Sequence, residues 1–287
     1  EFFTKLGRAI IAALDAVTAE GFVFRVDMRL RPYGDSGALV HNFSALEEYY
    51  QDQGRDWERY ALIKARPLTG GAEQGAHLMT ALQPFIFRRY IDFGVIASLR
   101  SMKAGISAEV RRRGLQADVK LGHGGIREIE FIAQCFQLIR GGRDLGLQQR
   151  ELLPVLAECA ALGCLPAEEV GQLREAYLFL RDSEHAIQGY ADKQTQALPT
   201  EPQPRLTMAV VMGFANWEAY EQALDAFRQQ VSCIFDQLIA APEDEDAEAE
   251  TAPVLTGESL SELGFDPEGQ AGEQLRTLLA SPKVLTL

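Results

Sequence analysis

The chain has 287 residues and a formal net charge of −13, with 47% hydrophobic and 24% charged residues, a composition ordinary for a globular protein. It contains no apolar run of the roughly 18 residues that a membrane span needs, and no signal-peptide pattern opens it. Its four cysteines, Cys135, Cys159, Cys164 and Cys233, form no CxxC pair and show no zinc-finger spacing. We therefore expect a cytoplasmic protein with reduced cysteines.

Acidic residues are concentrated at the end of the chain. From residue 240 onward there are 11 Asp and Glu against two basic residues, a balance of −9, which leaves −4 for the first 239 residues. Residues 86–150 hold 12 Lys and Arg against 6 Asp and Glu. The low pI of about 4.9 therefore reports mainly an acidic tail, and the basic middle is compatible with a surface that faces phosphate groups.

Residues 1–17 open the chain with apolar side chains at steps of three and four, which predicts an amphipathic helix. This helix has no cap or lead-in, so we expect the chain to be a piece of a longer protein. In residues 22–31, apolar and charged side chains alternate, and a period of two predicts a half-buried strand. Residues 32–37, Pro-Tyr-Gly-Asp-Ser-Gly, should end the strand in a turn.

Helices account for most of the remaining pattern. Ser44 and Glu47 form a capping box ahead of a short helix, and a second helix is expected over residues 56–65, stopped by Pro67. Further helices are predicted near residues 76–92, 93–113, 125–141, 149–162, 167–190, 203–213 and 216–240. The predicted fold class is mainly α, with one or a few strands in a small mixed segment followed by a helical bundle.

The last stretch of the chain changes character. Residues 243–250, Glu-Asp-Glu-Asp-Ala-Glu-Ala-Glu, are too charged to bury and predict a flexible linker. Asp244 and Asp246 resemble a metal-binding pair, but we discount them because no strand precedes them. A weak helical pattern follows near residues 273–280. We divide the chain into three parts, residues 1–72, 73–241 and 242–287.

One carboxylate and three arginines share the polar face of the predicted strand. Asp27 lies at its centre, flanked by Arg25, Arg29 and Arg31. A carboxylate can hold a divalent metal while guanidinium groups neutralise phosphate oxygens, an arrangement suited to phosphoryl or nucleotidyl transfer. The alternative is an exposed sheet face with cross-strand salt bridges, and this segment alone favours that alternative.

A second basic cluster follows in the helix predicted over residues 56–65. Arg55 and Arg59 fall on one helix face, and Lys64 and Arg66 lie near the end of the helix. Their side chains are long enough to reach a nucleotide phosphate. The alternative is a solvated helix face whose aliphatic stems cover the core.

Residues 120–131, Lys-Leu-Gly-His-Gly-Gly-Ile-Arg-Glu-Ile-Glu-Phe, place three glycines just before a helix. Glycines let a backbone approach a ligand closely, and a helix N-terminus offers free N–H groups to an anion. Glu128 and Glu130 are two residues apart, so on a helix they diverge and at most one should face a site. His123 has no accompanying nucleophile motif, which favours a loop histidine without a catalytic role.

Taken together, five segments resemble the glutamine synthetase adenylyltransferase/adenylyl-removing family over about residues 1–240. That family has two homologous nucleotidyltransferase halves. The N-terminal, deadenylylating half is the one that two of the motifs resemble, Gln-Gly-Arg-Asp-Trp-Glu-Arg and Phe-Arg-Arg-Tyr-Ile-Asp-Phe. The five segments are residues 24–32, 49–60, 64–66, 87–93 and 121–131.

The resemblance implies that residues 1–72 close a nucleotidyltransferase α/β domain and that the bundle after them binds substrate and regulators. Asp27 matches the third metal carboxylate of the family, which would hold Mg²⁺ with two aspartates of a Gly-Ser…Ser-Asp-x-Asp motif. This chain lacks that motif, so we expect it to be inactive alone. The residues expected to bind nucleotide or phosphate are Arg25, Arg29, Arg31, Arg59, Lys64, Arg66, Gly124, Gly125, Arg127 and Glu130.

The resemblance also implies a reaction and a set of partners. In the deadenylylating half, inorganic phosphate attacks an AMP–tyrosine ester on glutamine synthetase and releases ADP. The expected partners are glutamine synthetase, the P-II nitrogen-signal protein, ATP or ADP and phosphate, but neither nucleic acid nor a membrane. Two alternatives stay open, namely the adenylylating half, which uses ATP, and a non-catalytic module that docks glutamine synthetase or the P-II protein.

Overall fold

The computed structural model describes residues 1–21, 24–89, 93–190 and 195–238. The chain divides into two compact units, Glu1–Ile239 and Ala240–Leu287, and the second lies outside the described residues. The acidic linker and the weak terminal helix predicted from the sequence fall in that second unit. The boundary that we place after residue 72 stays a prediction.

The described part of the first unit is built from α-helices. Their order and positions follow the predicted ranges closely from α5 onward, while α4 begins four residues and ends six residues before the predicted range. The prediction of a mainly α fold is confirmed. The helices are α1 (Phe2–Asp15), α2 (Phe43–Asp52), α3 (Asp56–Leu62), α4 (Ala72–Ile86), α5 (Phe93–Arg113), α6 (Ile126–Arg140), α7 (Leu152–Ala161), α8 (Ala167–Gly189), α9 (Pro202–Val211) and α10 (Trp217–Gln237).

The strand predicted for residues 22–31 is wrong for the part of that segment that the structure describes, which carries no strand. A strand needs a ladder of hydrogen bonds with a neighbouring strand. Across the described ranges, the β-pairing consists of two isolated bridges, Thr18–Gly21 and Asp118–Ala197. The alternation of apolar and charged residues therefore marks two faces of the segment without supplying the partner that a sheet requires.

The start of α2 also differs from the prediction. Its N-cap is Asn42, whose Oδ1 accepts the Ala45 backbone N–H at 2.7 Å. Phe43 and Ser44 are already helical, so Ser44 lies two residues too late to cap the helix. The capping box predicted from Ser44 and Glu47 is therefore wrong, because asparagine is an equally good cap and comes first in the chain.

The helix α6 forms the centre of the core. Ten of its fifteen residues are buried, and it packs against α7, α8 and α10. Phe131 of α6 meets Phe235 of α10 with ring centroids 5.5 Å apart. The Tyr220 hydroxyl of α10 donates to Ser183 Oγ of α8 at 3.1 Å. The bundle thus buries its apolar surface on its own helices, which is the main source of its stability.

The segment between α5 and α6 is fixed against α10. Arg228 of α10 donates from Nη1 to the Gln116 carbonyl at 2.9 Å and from Nη2 to the Asp118 carbonyl at 2.8 Å. Asp118 Oδ1 accepts the backbone N–H groups of Lys120 and Leu121 at 2.8 and 2.7 Å. The glycine-rich loop is therefore anchored to the bundle before α6 begins.

Candidate functional site

A cavity of about 680 Å³ lies between α3, α5 and α6, a volume typical of small-molecule sites. Lys64, Arg127 and Glu130, three residues that the sequence predicts to bind nucleotide or phosphate, line this cavity together. They come from two segments about 60 residues apart in the chain, and the packing of α3 on α6 brings them to one place.

The floor of the cavity is apolar. Tyr60 and Phe131 lie there with ring centroids 5.9 Å apart, and Met102 and Ile106 of α5 complete the lining. Burial raises the pKa of Tyr60, so its hydroxyl stays protonated at neutral pH. A flat apolar or aromatic group fits such a floor.

Lys64 supplies one positive charge at the cavity. Its Nζ donates to the Arg150 carbonyl at 2.6 Å, which holds the side chain in one direction. Burial lowers the pKa of Lys64, and the nearby Glu130 carboxylate opposes that effect. Glu130 thus favours the charged form of the lysine.

Arg127 supplies the second positive charge. Its Nη1 lies 3.3 Å from Glu109 Oε2 of α5, and its Nη2 donates to the Leu121 carbonyl at 3.0 Å. These two contacts orient the guanidinium group, which is largely buried. The cavity therefore presents two cations and two carboxylates above an apolar floor, so an anionic group can bind at Lys64 and Arg127 while an apolar ring covers the floor.

Arg59 takes a structural position instead of the predicted phosphate-binding one. It is 1% exposed, and it donates from Nε to the Ile86 carbonyl at 2.8 Å and from Nη2 to the Leu138 carbonyl at 2.7 Å. Burial lowers the pKa of Arg59 to about 10. Its guanidinium group joins the last turns of α4 and α6, whose carbonyl groups lack partners within their own helices.

The glycines of the loop allow a close approach, but to α10 and not to a ligand. Gly124 has φ +65, and a Cβ atom there would lie 2.2 Å from the Arg228 carbonyl oxygen. The N–H of Gly124 donates to Glu128 Oε2 at 2.9 Å, and that of Gly125 donates to the Gly122 carbonyl at 3.1 Å.

The first N–H groups of α6 are also used within the protein. Those of Ile126 and Arg127 donate to the carbonyls of Val119 and Lys120 at 3.2 and 3.0 Å. Together with the occupied N–H groups of Gly124 and Gly125, these bonds leave the helix N-terminus without the free donors that an anion would need. The loop therefore closes on itself in this structure, and the anion site predicted at Gly124 and Gly125 stays a prediction.

Asp27 lies in the exposed segment after α1, where Arg29 occupies its carboxylate. Arg29 Nε lies 3.0 Å from each carboxylate oxygen, and this contact lowers the pKa of Asp27 to about 2. Arg31 Nη1 donates to the Met28 carbonyl at 2.7 Å, and Arg25 is exposed. None of these residues is among the described residues that line the cavity.

The predicted convergence of the basic residues beside Asp27 is therefore not what the structure shows. Lys64 lines the cavity between α3, α5 and α6, whereas Arg66 lines another cavity of about 360 Å³ beside the end of α4. Arg59 lies in the core. The three side chains leave one short segment in three directions, which a helical face alone does not predict.

Magnesium needs a nearly octahedral set of oxygen ligands, usually one or two carboxylates with phosphate oxygens and waters. In the part of the chain that the structure describes, no group of three or more His, Cys, Asp or Glu side chains is arranged to hold a metal. Asp27 supplies one carboxylate, and Arg29 already neutralises it. The described residues therefore do not fit a complete magnesium centre.

Several lining residues were missed from the sequence. Gln134 follows Glu130 by four residues on α6, and Glu109 follows Ile106 by three on α5, so each pair shares a helix face. Tyr60 lies in the last turn of α3, just before Lys64. All of these residues line the cavity. Helical spacing from Glu130 is the signal that would have found Gln134, whereas α5 carries no predicted site residue from which Glu109 could have been found.

Among the described helices, none is long and apolar enough to cross a membrane.

Residues 1–81 match the family model described as glutamate-ammonia ligase adenylyltransferase, and residues 100–239 match the one described as GlnD PII-uridylyltransferase. Both descriptions name the transfer of a nucleotidyl group, so the chain is of the nucleotidyltransferase class. Lys64 lies in the first match, and Arg127 and Glu130 lie in the second.

Similar curated proteins narrow this class. A bifunctional glutamine synthetase adenylyltransferase/adenylyl-removing enzyme of Pseudomonas putida is 52% identical over 301 residues, covering 100% of this chain and 31% of the relative. The enzyme of the same name from Pseudomonas aeruginosa is 53% identical over 300 residues, covering 99% and 30%. That of Hahella chejuensis is 57% identical over 239 residues, covering 83% and 25%. The chain belongs to this family and spans under a third of the length of these relatives.

Proposed function

We propose that the chain forms part of the deadenylylating site of such an enzyme. In this reaction, inorganic phosphate attacks the phosphorus of an AMP group esterified to a tyrosine of glutamine synthetase. The bond from phosphorus to the incoming phosphate forms, the bond to the tyrosine oxygen breaks, and that oxygen takes up a proton. The products are ADP and free tyrosine. The name of the relatives, which includes adenylyl removal, supports this choice.

The observation that carries the proposal is the meeting of Lys64, Arg127 and Glu130 at one cavity. Phosphorolysis brings two anions together, so fixed positive charge must offset their repulsion. Lys64 is held by the Arg150 carbonyl, so its charge is in place before the ligand arrives. Preorganised charge of this kind costs no reorganisation during the reaction.

The other lining residues complete the role of the cavity in this proposal. Glu109 orients Arg127, and Glu130 keeps Lys64 charged. Tyr60, which packs on the buried Phe131, forms the apolar floor against which the adenine ring would lie. The cavity is thus proposed to hold the nucleotide, with the phosphate groups at its two cations.

Asp27 enters the proposal as a ligand of Mg²⁺, with its further ligands supplied from outside the described residues. Its exposed position leaves it open to another segment or subunit. Arg29 would have to release the carboxylate before a metal could bind it. The variant Asp27→Asn tests this proposed role.

Two other functions have specific support. The match of residues 1–81 to a model described as an adenylyltransferase favours the adenylylating half, which uses ATP and releases pyrophosphate. The match of residues 100–239 to a PII-uridylyltransferase model favours a module that binds the P-II protein or glutamine synthetase without catalysis. All three functions would place the chain in the control of glutamine synthetase in the cytoplasm.

A chimera tests the proposal. This chain replaces the matching 31% of the Pseudomonas putida relative, and ADP release from adenylylated glutamine synthetase is measured with phosphate and magnesium. Lys64→Met should lower ADP release about a hundredfold, because losing one electrostatic partner costs on the order of 3 kcal/mol of barrier. Asp27→Asn should nearly abolish ADP release.

Matched controls separate the three functions. Arg112→Met removes an exposed charge at the end of α5, away from the cavity, and should leave ADP release unchanged. If the variants lower AMP transfer from ATP and spare ADP release, the chain belongs to the adenylylating half. If Lys64→Met spares both activities while the bare chain still captures glutamine synthetase or the P-II protein in a pull-down, the binding module is the better description.

A further inference from the structure

Two cysteines meet at the end of α7, far in the chain from the residues of the proposed site. The helix ends with Gly163 in the left-handed region at φ +66. The N–H of Cys164 donates to the Cys159 carbonyl at 2.8 Å, and the N–H of Gly163 donates to the Ala160 carbonyl at 3.0 Å. This pair of bonds is the Schellman motif, in which the side chains at the positions of Cys159 and Cys164 usually touch.

The backbone bond places the two cysteines within the range of a disulfide. With standard bond lengths, a 2.8 Å hydrogen bond between N–H and C=O keeps the two Cα atoms less than about 7 Å apart. Disulfides usually span about 4.4 to 6.8 Å between Cα atoms. The Cys164 sulfur also contributes to the raised pKa of Cys159, as expected for neighbouring thiols.

The two thiols differ in their surroundings. Cys159 is fully buried, and Cys164 is partly exposed. Arg140 Nη1 donates to the Cys164 sulfur at 3.2 Å, while Nε of the same arginine pairs with Asp144 Oδ2 at 2.8 Å. A partly exposed cysteine with a cation on its sulfur is the setting in which reactive thiols are found.

We propose that Cys164 is a modification site for small-molecule disulfides and that Cys159 resolves the product into an intramolecular Cys159–Cys164 disulfide. First, the Cys164 sulfur attacks one sulfur of the small disulfide, forms a mixed disulfide and releases one thiol. Then the Cys159 sulfur attacks the Cys164 sulfur and releases the second thiol. Two protein thiols are oxidised, one small disulfide is reduced, and the two protons leave on the released thiols.

The two steps should differ in rate. Burial raises the pKa of Cys159 to about 12, and the thiolate is the attacking form. The mixed disulfide on Cys164 should therefore accumulate before the ring closes, and closure should become faster as the pH rises. The new bond would close a short loop across the end of α7.

The test treats the full chain with oxidised glutathione and follows it by intact mass and peptide mapping. The wild type should gain glutathione on Cys164 and on Cys233 and then lose the one on Cys164. It should end with the mass of one persistent adduct on Cys233, less the two hydrogens lost when Cys159 and Cys164 are linked. Cys159→Ala should stop at a stable Cys164 adduct. Cys233, exposed on α10, is the internal control and should carry an adduct that persists.

Each other outcome overturns the proposal. A wild type in which glutathione stays on Cys164 without closure removes the resolving role of Cys159. A wild type that reacts at Cys233 and leaves Cys164 unmodified removes the modification site. A Cys164→Ala variant that still forms an intramolecular disulfide assigns the bond to another pair. Circular dichroism of each variant confirms that the helices remain folded.

Discussion

The segment that carries Asp27 and the bundle that carries Arg127 are built differently. The first helix, α1, has no buried residue, and its apolar side chains Phe2, Phe3 and Ile10 are 71%, 67% and 50% exposed. Ten of the fifteen residues of α6 are buried. Both helices are amphipathic, so the difference lies in their partners and not in their patterns.

This contrast explains where sequence-based assignments of function hold. In the bundle, packing fixes each side chain, so Lys64, Arg127 and Glu130 reach one cavity. In the segment after α1, Asp27 and Arg29 pair with each other in solvent, a contact that contributes little to stability when exposed. A function that depends on Asp27 therefore needs other residues to surround its carboxylate, whereas the bundle and α3 form the whole cavity.

The largest effect is expected for Arg59→Ala. The substitution leaves the buried carbonyls of Ile86 and Leu138 without partners and opens a cavity, so the free energy of unfolding should fall by about 4 kcal/mol. Arg55→Ala at the N-cap of α3 is the control, because its side chain is exposed and the backbone N–H that bonds Glu58 is kept. It should change stability by less than about 0.5 kcal/mol. Urea unfolding measures both, and equal midpoints would assign Arg59 to the surface.

A smaller effect on stability is expected when a glycine is replaced by alanine in each of the two regions. Gly124 and Gly34 both have positive φ, but a Cβ atom at Gly124 would strike the Arg228 backbone, while one at Gly34 would meet nothing within 4 Å. Gly34→Ala should cost about 1 kcal/mol from the backbone conformation alone. Gly124→Ala should cost about 3 kcal/mol, because α10 must also move. Thermal unfolding of the two variants compares them, and similar costs would contradict the packing of the loop on α10.

The smallest effect concerns pH. Burial raises the pKa of Glu128 above its ordinary value of 4.5, and the nearby Asp236 adds to the increase. The hydrogen bond from the Gly124 N–H and the neighbouring His123 lower the pKa, but by less. Arg228 of α10 also lies near this carboxylate. Between the unfolded and the folded pKa the native state binds more protons, so stability should fall as pH rises through that window.

Glu128→Gln tests this dependence because glutamine keeps an acceptor for the Gly124 N–H. In the wild type the free energy of unfolding should fall above pH 4.5, with a slope of at most about 1.4 kcal/mol per pH unit for one group. In the variant this fall should be absent. Glu130→Gln, on the same helix but lining the cavity, should keep the wild-type dependence. A wild type whose stability rises across this window would mean that another carboxylate dominates.

The sequence predicts much of the fold and less of the site. Helical periodicity locates α5, α6 and α8 closely, because each buries one face within the bundle. The strand at residues 22–31 fails because alternation does not provide a neighbouring strand. The loop glycines are predicted to let the backbone approach a ligand, but at Gly124 the close neighbour is α10. That helix is about 100 residues further along, and no local pattern shows that it fills the space. Arg59 is misplaced for the same reason, since its partners lie on other helices.

The most direct test of the account compares the chain alone with the chimera in the Pseudomonas putida relative. Both are incubated with adenylylated glutamine synthetase, phosphate and magnesium, and ADP release is followed. We expect the chimera to release ADP and the isolated chain not to, because in the described residues Asp27 is one carboxylate without a complete metal site. The bundle and α3 then supply only the cavity. Sustained ADP release by the isolated chain would contradict this expectation and would place the whole active site within these 287 residues.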